Sequence, residues 1–146
     1  MPGSERHESL AIESCIEVSY LWRGEFSNEA VNRLHAEAFG HRILQDDWWG
    51  QVNLHSLGWV CARTPEELVG FVNVAWDGAC HAFILDTMVT SRYQRLGIAT
   101  QMLSICAREA RNVRCEWLHV DFGDDLRQLY FDSAGFTPTN AGLIRL

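Results

Sequence analysis

Three strand-like runs in succession, between Leu57 and Val89, constrain the fold of this chain more than any other feature. Leu57–Ala62 and Leu68–Trp76 are apolar and rich in β-branched residues, and Arg63–Glu66 with Pro65 turns the chain between them. Asp77-Gly78 is a strong hairpin signal, and it leads into a third run, His81–Val89. Strands joined this closely pair as an antiparallel meander. The flanking segments supply more elements. Ile16–Trp22 alternates as a first strand and Gly24 breaks it. Ser27 reads as a helix N-cap, with Glu29 and Ala30 in the first turn, apolar Val31, Leu34, Ala38 and Phe39 at helical spacing, and Gly40 as the stop. His41–Asn53 has no clear period. Beyond Gly97, Ile98, Met102, Leu103, Cys106 and Ala110 share one helical face. Glu116–Phe122 reads as a strand, Asp124 or Asp125 as the cap of a short helix through Ser133, and Phe136–Leu146 as one or two further strands.

With 146 residues, 47% of them hydrophobic and 21% charged, the chain has room for one domain and little for disorder. Residues 1–14 are expected to form a mobile tail and residues 15–146 a single domain. No apolar run is long enough to span a bilayer and the start lacks a secretory apolar region, so a soluble cytoplasmic protein is expected. Cys15, Cys61, Cys80, Cys106 and Cys115 are odd in number and contain no C-x-x-C pair, which points to buried free thiols and no structural metal.

The net charge is −7 and every one of the 12 basic residues is arginine. Arg92, Arg95, Arg108, Arg111 and Arg114 cluster against the single Glu109. A local basic stripe in an acidic chain suits an anionic ligand and disfavours nucleic acid. The same region carries the most informative motif. At Val89–Thr100 a strand passes through a short loop directly into a helix, whose first N–H groups are unpaired and carry partial positive charge. Gly97 lets the backbone approach a phosphate, and small Ala99 leaves that approach open. The motif is neither the P-loop nor the dinucleotide fingerprint.

Gln94-Arg95-Leu96-Gly97-Ile98-Ala99 resembles the [QR]-x-x-G-x-[GA] signature of the GNAT acetyltransferase superfamily, which holds the pyrophosphate of coenzyme A in this way. The preceding strand end Asp86-Thr87-Met88-Val89, the spacing to Glu116–Phe122 and the final Ala134-Gly135-Phe136 are similar to the same family. The resemblance covers roughly Ile16 to Phe136. It implies an α/β (α+β) fold with a central mixed, mostly antiparallel twisted sheet of six to seven strands flanked by three to four helices. It also implies acetyl-coenzyme A as acyl donor, held by Thr87, Met88, Val89, Gln94, Arg95, Leu96, Gly97, Ile98, Ala99, Thr100, Asp124 and Phe131, and no metal.

The implied chemistry is direct attack of a primary amine on the thioester in a ternary complex. It needs a base, an oxyanion donor and an acid for the departing thiolate. The family places the oxyanion donor at the backbone N–H of Met88 or Val89. Strand alternation puts Trp117, His119 and Asp121 on one face. His119 occupies the slot of a glutamate base in members similar to protein N-terminal acetyltransferases, and imidazole, with an ordinary pKa of about 6.5, suits the task. Asp86, beside the thioester end of its strand, is a second catalytic candidate; His35 and His81 have weaker claims. The family's usual acid is a tyrosine four residues before Gly-Phe. That slot holds Phe131, with Tyr130 one residue earlier, and Tyr130 serves only if the helix is rotated or irregular, since consecutive helical residues differ by about 100°. His41, Asp46, Asp47, Trp48 and Trp49, with Asp121, are the candidate lining for a small cationic amine. A protein N-terminal or lysine acetyltransferase and a non-catalytic acyl-coenzyme A sensor are the alternatives. A homodimer is possible on this fold; nucleic acid and membrane are not expected partners.

Overall fold

A computed structural model describes residues 16–146; the expected tail at 1–14 and Cys15 lie outside the described residues. Five strands form one sheet in chain order: β1 (Ser19–Trp22), β2 (Ser56–Arg63), β3 (Leu68–Trp76), β4 (His81–Val89) and β5 (Trp117–His119). All neighbours are antiparallel except β4 and β5, which are parallel. Four helical elements flank it: α1 (Asn28–Phe39), α2 (Trp48–His55), α3 (Ile98–Asn112) and a π-helical segment, Gln128–Ser133.

The sheet is mixed and mostly antiparallel as the resemblance implies, but it has five strands among the described residues, not six to seven. Phe136–Leu146 forms no strand. Pro138 removes a ladder donor there and Asn140 and Gly142 have poor strand propensity, so Leu143 and Ile144 stay 81% and 87% exposed. Other elements follow local signals. Ser27 Oγ accepts from the Ala30 amide at 3.1 Å, and Gly40, at φ 68°, closes α1. Asp47 caps α2, accepting from the Gly50 amide at 3.0 Å. The turn Asp124–Leu126 has Gly123 at its N-cap and no side-chain cap bond, so neither Asp124 nor Asp125 plays the expected capping role.

Alternation along the strands divides the core in two. Val60, Ala62, Val72, Val74, Ala82 and Ile84 pack with Met102, Leu103 and Cys106 of α3. On the opposite face Trp59, Cys61, Phe71 and Met88 pack with Val31 and Leu34 of α1 and with Trp48 and Val52 of α2. The α1–α2 layer stops short of the sheet edge, leaving Phe83 and Leu85 of β4 38% and 39% exposed. A bulge re-aims β4 just beyond them. Phe71 pairs with Met88 and Asn73 with Leu85, so β4 spends one extra residue there, and Asp86 takes a left-handed φ of 55°.

Gly58 shows how closely β1 is seated on β2: a Cβ at that position would lie 2.1 Å from the Trp22 ring. Gly58→Ala should therefore force the indole aside and destabilise the protein by about 1–3 kcal/mol, read as a lower denaturation midpoint in urea.

Candidate active site

Parallel pairing of β4 with β5 lasts for three registers, ending at Phe83 opposite His119, while β4 runs on to Val89. Above Phe83 the β5-facing edge of β4 has no ladder partner among the described residues. Its peptide groups are available to an extended ligand. Thr87 Oγ1 on this stretch is buried without a hydrogen bond of ordinary geometry. Beside it lies Tyr130, only 3% exposed, stacked on Phe122 at 4.6 Å and edge-on to Phe136 at 5.8 Å. Burial raises the Tyr130 pKa; the neighbouring Thr87 hydroxyl counters part of that rise, and Asp121 and Cys106 add to it. The phenol thus stays protonated at neutral pH.

Tyr130 reaches this position because its helix is irregular. The Ala134 amide donates to the Leu129 carbonyl at 2.8 Å, five residues back, and the Phe136 amide to Tyr130 at 2.8 Å. The wider π-turn changes the angular register on which the sequence comparison between Phe131 and Tyr130 rests. Phe131 is half-buried, edge-on to Phe122 at 5.0 Å, with the Arg127 guanidinium 5.1 Å from its ring centre.

From Val89 the chain enters a loop held from the opposite face by Glu37 of α1. That carboxylate accepts from Thr90 Oγ1 at 2.9 Å, the Ser91 amide at 2.7 Å and Ser91 Oγ at 2.5 Å. The Ser91 bonds hold the Glu37 carboxyl below its ordinary value, with Thr90 and Arg92 helping against desolvation. Gln94 Nε2 donates to the Val89 carbonyl at 3.2 Å. Arg92 is tied to Glu67, whereas Arg95, at φ 62°, makes no ion pair among the described residues. Gly97 is the N-cap of α3 at φ 81°, and no side chain caps that helix. The first amides of α3, at Ile98, Ala99 and Thr100, therefore have no side-chain acceptor, and the space a Gly97 Cβ would occupy is open. Leu96 is exposed.

A second polar group gathers at the bulge. His41 Nδ1 lies 2.6 Å from the Arg42 carbonyl, which can only accept. In the neutral state this places the His41 proton on Nδ1, so its Nε2 accepts from His35 Nδ1 at 2.7 Å. The lone pair of His35 is then left on Nε2, which faces Asp86 Oδ1 at 3.9 Å. Burial raises the Asp86 pKa, opposed by a hydrogen bond from Asn73 and by His35. His35 is lowered by burial above all; Asp86 and Asp46 push it up and His41 pushes it down. Asn73 is buried and accepts from Ser56 Oγ, which leaves its amide nitrogen for Asp86.

The other candidates are distributed around this centre. His119 is exposed on the α1–α2 side; its Nε2 is 2.7 Å from His81 Nδ1 and its ring stacks on Phe83 at 4.6 Å. Asp47 is committed to α2 and to Asn28, 2.9 Å away. Trp48 is buried, donates to Asn32 Oδ1 at 3.1 Å, and its ring lies 5.3 Å from His35. Trp49 is exposed but leans on Phe26 and Trp59, and Asp46 is exposed. Asp124 is fully exposed, 3.8 Å from Arg127. Sequence reasoning missed Glu37, Asn73 and Ser56. Glu37 meets the loop 54 residues away, and no local pattern announces it.

Comparison with known proteins agrees with this geometry. The model of the Acetyltransferase (GNAT) family matches residues 14–136. A probable acetyltransferase of unknown function from methicillin-resistant Staphylococcus aureus superposes with a TM-score of 0.76 at 20% identity, over 89% of this chain and 98% of that one. A GNAT family protein from Streptococcus pneumoniae gives 0.72 at 18%, over 89% and 98%. An aminoglycoside N-acetyltransferase crystallised with coenzyme A gives 0.71 at 16%, over 92% and 97%. No curated protein sequence matches the chain.

Glu37 gives this site a pH-dependent anchor. Because its folded pKa is depressed, its contribution is present above the ordinary glutamate value and is lost as pH falls through the lower folded one. Glu37→Gln should speed hydrogen exchange at the Ser91 amide by about 5-fold or more at neutral pH, equivalent to one net hydrogen bond. The difference from wild type should vanish at pH values below the folded pKa.

Proposed function

The chain belongs to the GNAT acetyltransferase family, and from that premise we propose that it transfers the acetyl group of acetyl-coenzyme A to a primary amine of a small cationic acceptor, by direct attack in a ternary complex. The observation that carries the reading is the open edge of β4 above Phe83, which leads along one continuous stretch of chain to the uncapped start of α3. Free peptide groups suit the pantetheine arm, and free helix-terminal amides with Arg95 suit the pyrophosphate. The orphaned Thr87 hydroxyl marks the same edge as a place where a polar partner is wanting.

In this reading the backbone N–H of Met88 or Val89 steadies the tetrahedral oxyanion. Asp86, made more basic by burial, accepts the amine proton. Tyr130 gives its proton to the departing thiolate from beside Thr87. Asp46 and the open face at Phe83, Leu85 and His119 form the acceptor side. An amine acceptor accords with structural relatives that include the aminoglycoside enzyme and a glucosamine-6-phosphate N-acetyltransferase. Peptide N-termini are the second reading, favoured by the exposed apolar strip of Phe83 and Leu85 beside His119.

Release of free thiol from acetyl-coenzyme A over a panel of polyamines, amino sugars and short peptides tests the proposal. Turnover with small cationic amines is expected, and turnover with none of the panel contradicts it. Tyr130→Phe should lower kcat about 10- to 100-fold with the fold intact. Asp86→Asn should lower it about 100-fold or more, while asparagine tolerates the left-handed backbone there and keeps stability. His119→Ala should cost less than about 10-fold; the reverse order would move the base from β4 to β5.

A further inference from the structure

At the end of the sheet opposite the loop, two turns bring a separate set of side chains together. The β3–β4 hairpin is fixed by Asp77, whose Oδ1 accepts from the amides of Ala79 at 2.8 Å and His81 at 3.1 Å. One donor atom from each of Asp77, Cys80 and His81 lies within 4.8 Å of the other two. The α3–β5 turn brings Cys115 to the same place. Its thiol points at the Ala79 carbonyl, 3.7 Å away, while the next two amides, of Glu116 and Trp117, donate to the Cys80 carbonyl at 2.8 and 3.0 Å. His119 Nε2 holds the ring of His81 from the side at 2.7 Å.

We propose that Asp77, Cys80, His81 and Cys115 form a binding site for one thiophilic divalent cation, zinc by preference, that clamps the β3–β4 hairpin to the start of β5. Two thiolates, an imidazole and a carboxylate are a tetrahedral zinc donor set. Bonds of about 2.0–2.3 Å place such donors roughly 3.3–3.8 Å apart. The donor atoms of Asp77, Cys80 and His81 are already within 4.8 Å of one another, and Cys115 stands outside this group as the fourth donor, offered from the facing turn beside Ala79. Asp77 can offer Oδ2 while Oδ1 keeps its turn bonds. On binding, the S–H bonds of Cys80 and Cys115 break, two metal–sulfur bonds form, and both protons pass to solvent. The other two described cysteines differ: Cys61 and Cys106 lie in the two cores, and burial pushes both thiols up to about 12. The buried free thiols expected from sequence for every cysteine are found at these two, whereas Cys80 and Cys115 are half-exposed.

Cobalt(II) added to the reduced, chelator-stripped full chain is the probe. The expected result is one cobalt per chain with thiolate-to-metal charge-transfer bands and tetrahedral visible bands, both erased by zinc. Cys80→Ser and Cys115→Ser should each weaken binding about 100-fold, and Asp77→Asn, which keeps the turn bonds, about 10-fold. Because a serine variant can fail to fold, a second measurement uses wild type: zinc should slow maleimide labelling of Cys80 and Cys115 by more than about 10-fold, mapped by peptide mass. Absent charge-transfer bands, bands that persist in the double serine variant, or labelling of Cys80 and Cys115 indifferent to zinc would each overturn the site.

Discussion

The parting of β4 from β5 is the constraint on which the rest of this molecule depends. Parallel strands need a long crossover, and α3 supplies it, feeding β5 back beside β4. The two strands then stay together for three registers only. The candidate acetyl-transfer centre lies where they separate: the free β4 edge, the buried hydroxyls of Thr87 and Tyr130, and the bulge that turns Asp86 toward α1. A β5 paired along its whole length would fill that edge with its own hydrogen bonds and leave no room for a ligand.

Keeping the gap open requires local departures from ideal structure. Asp86 adopts a left-handed backbone, Asn73 is a polar side chain inside the sheet, Thr87 lacks a proper partner, and the last helical segment is wound as a π-helix. The left-handed Asp86 and the unpartnered Thr87 hydroxyl each cost of order 1–3 kcal/mol. The two cores on either face of β3 hold them in place.

Much of this was legible in the sequence, for identifiable reasons. The limits of β3 and β4 follow from turn residues on either side, and α1 from Ser27 and Gly40, because these signals act within a few residues. The Gln94–Thr100 loop was legible because one glycine and an uncapped helix start carry its physics. The length of β5 was not: Glu116–Phe122 alternates like a full strand, and only the divergence of β4 ends its pairing at His119. The missing sixth strand is a different case: Phe136–Leu146 has apolar residues, but Pro138, Asn140 and Gly142 interrupt them. The π-turn that presents Tyr130 is a change of one position in hydrogen-bonding register, which no side-chain pattern encodes. Glu37, Asn73 and the His35–His41 contact are made by chain reversal and packing rather than by spacing, so they emerge only in three dimensions.

Calorimetric titration of acetyl-coenzyme A into wild type and Gly97→Glu tests the central claim most directly. The left-handed backbone at Gly97 and the open space over it are what let a pyrophosphate reach the first amides of α3. A glutamate there strains the turn and places a carboxylate against the anion. Micromolar binding to wild type, lost by about 100-fold or more in the folded variant, is the result the account predicts. Equal affinity in the two proteins, or no binding to wild type, would contradict it.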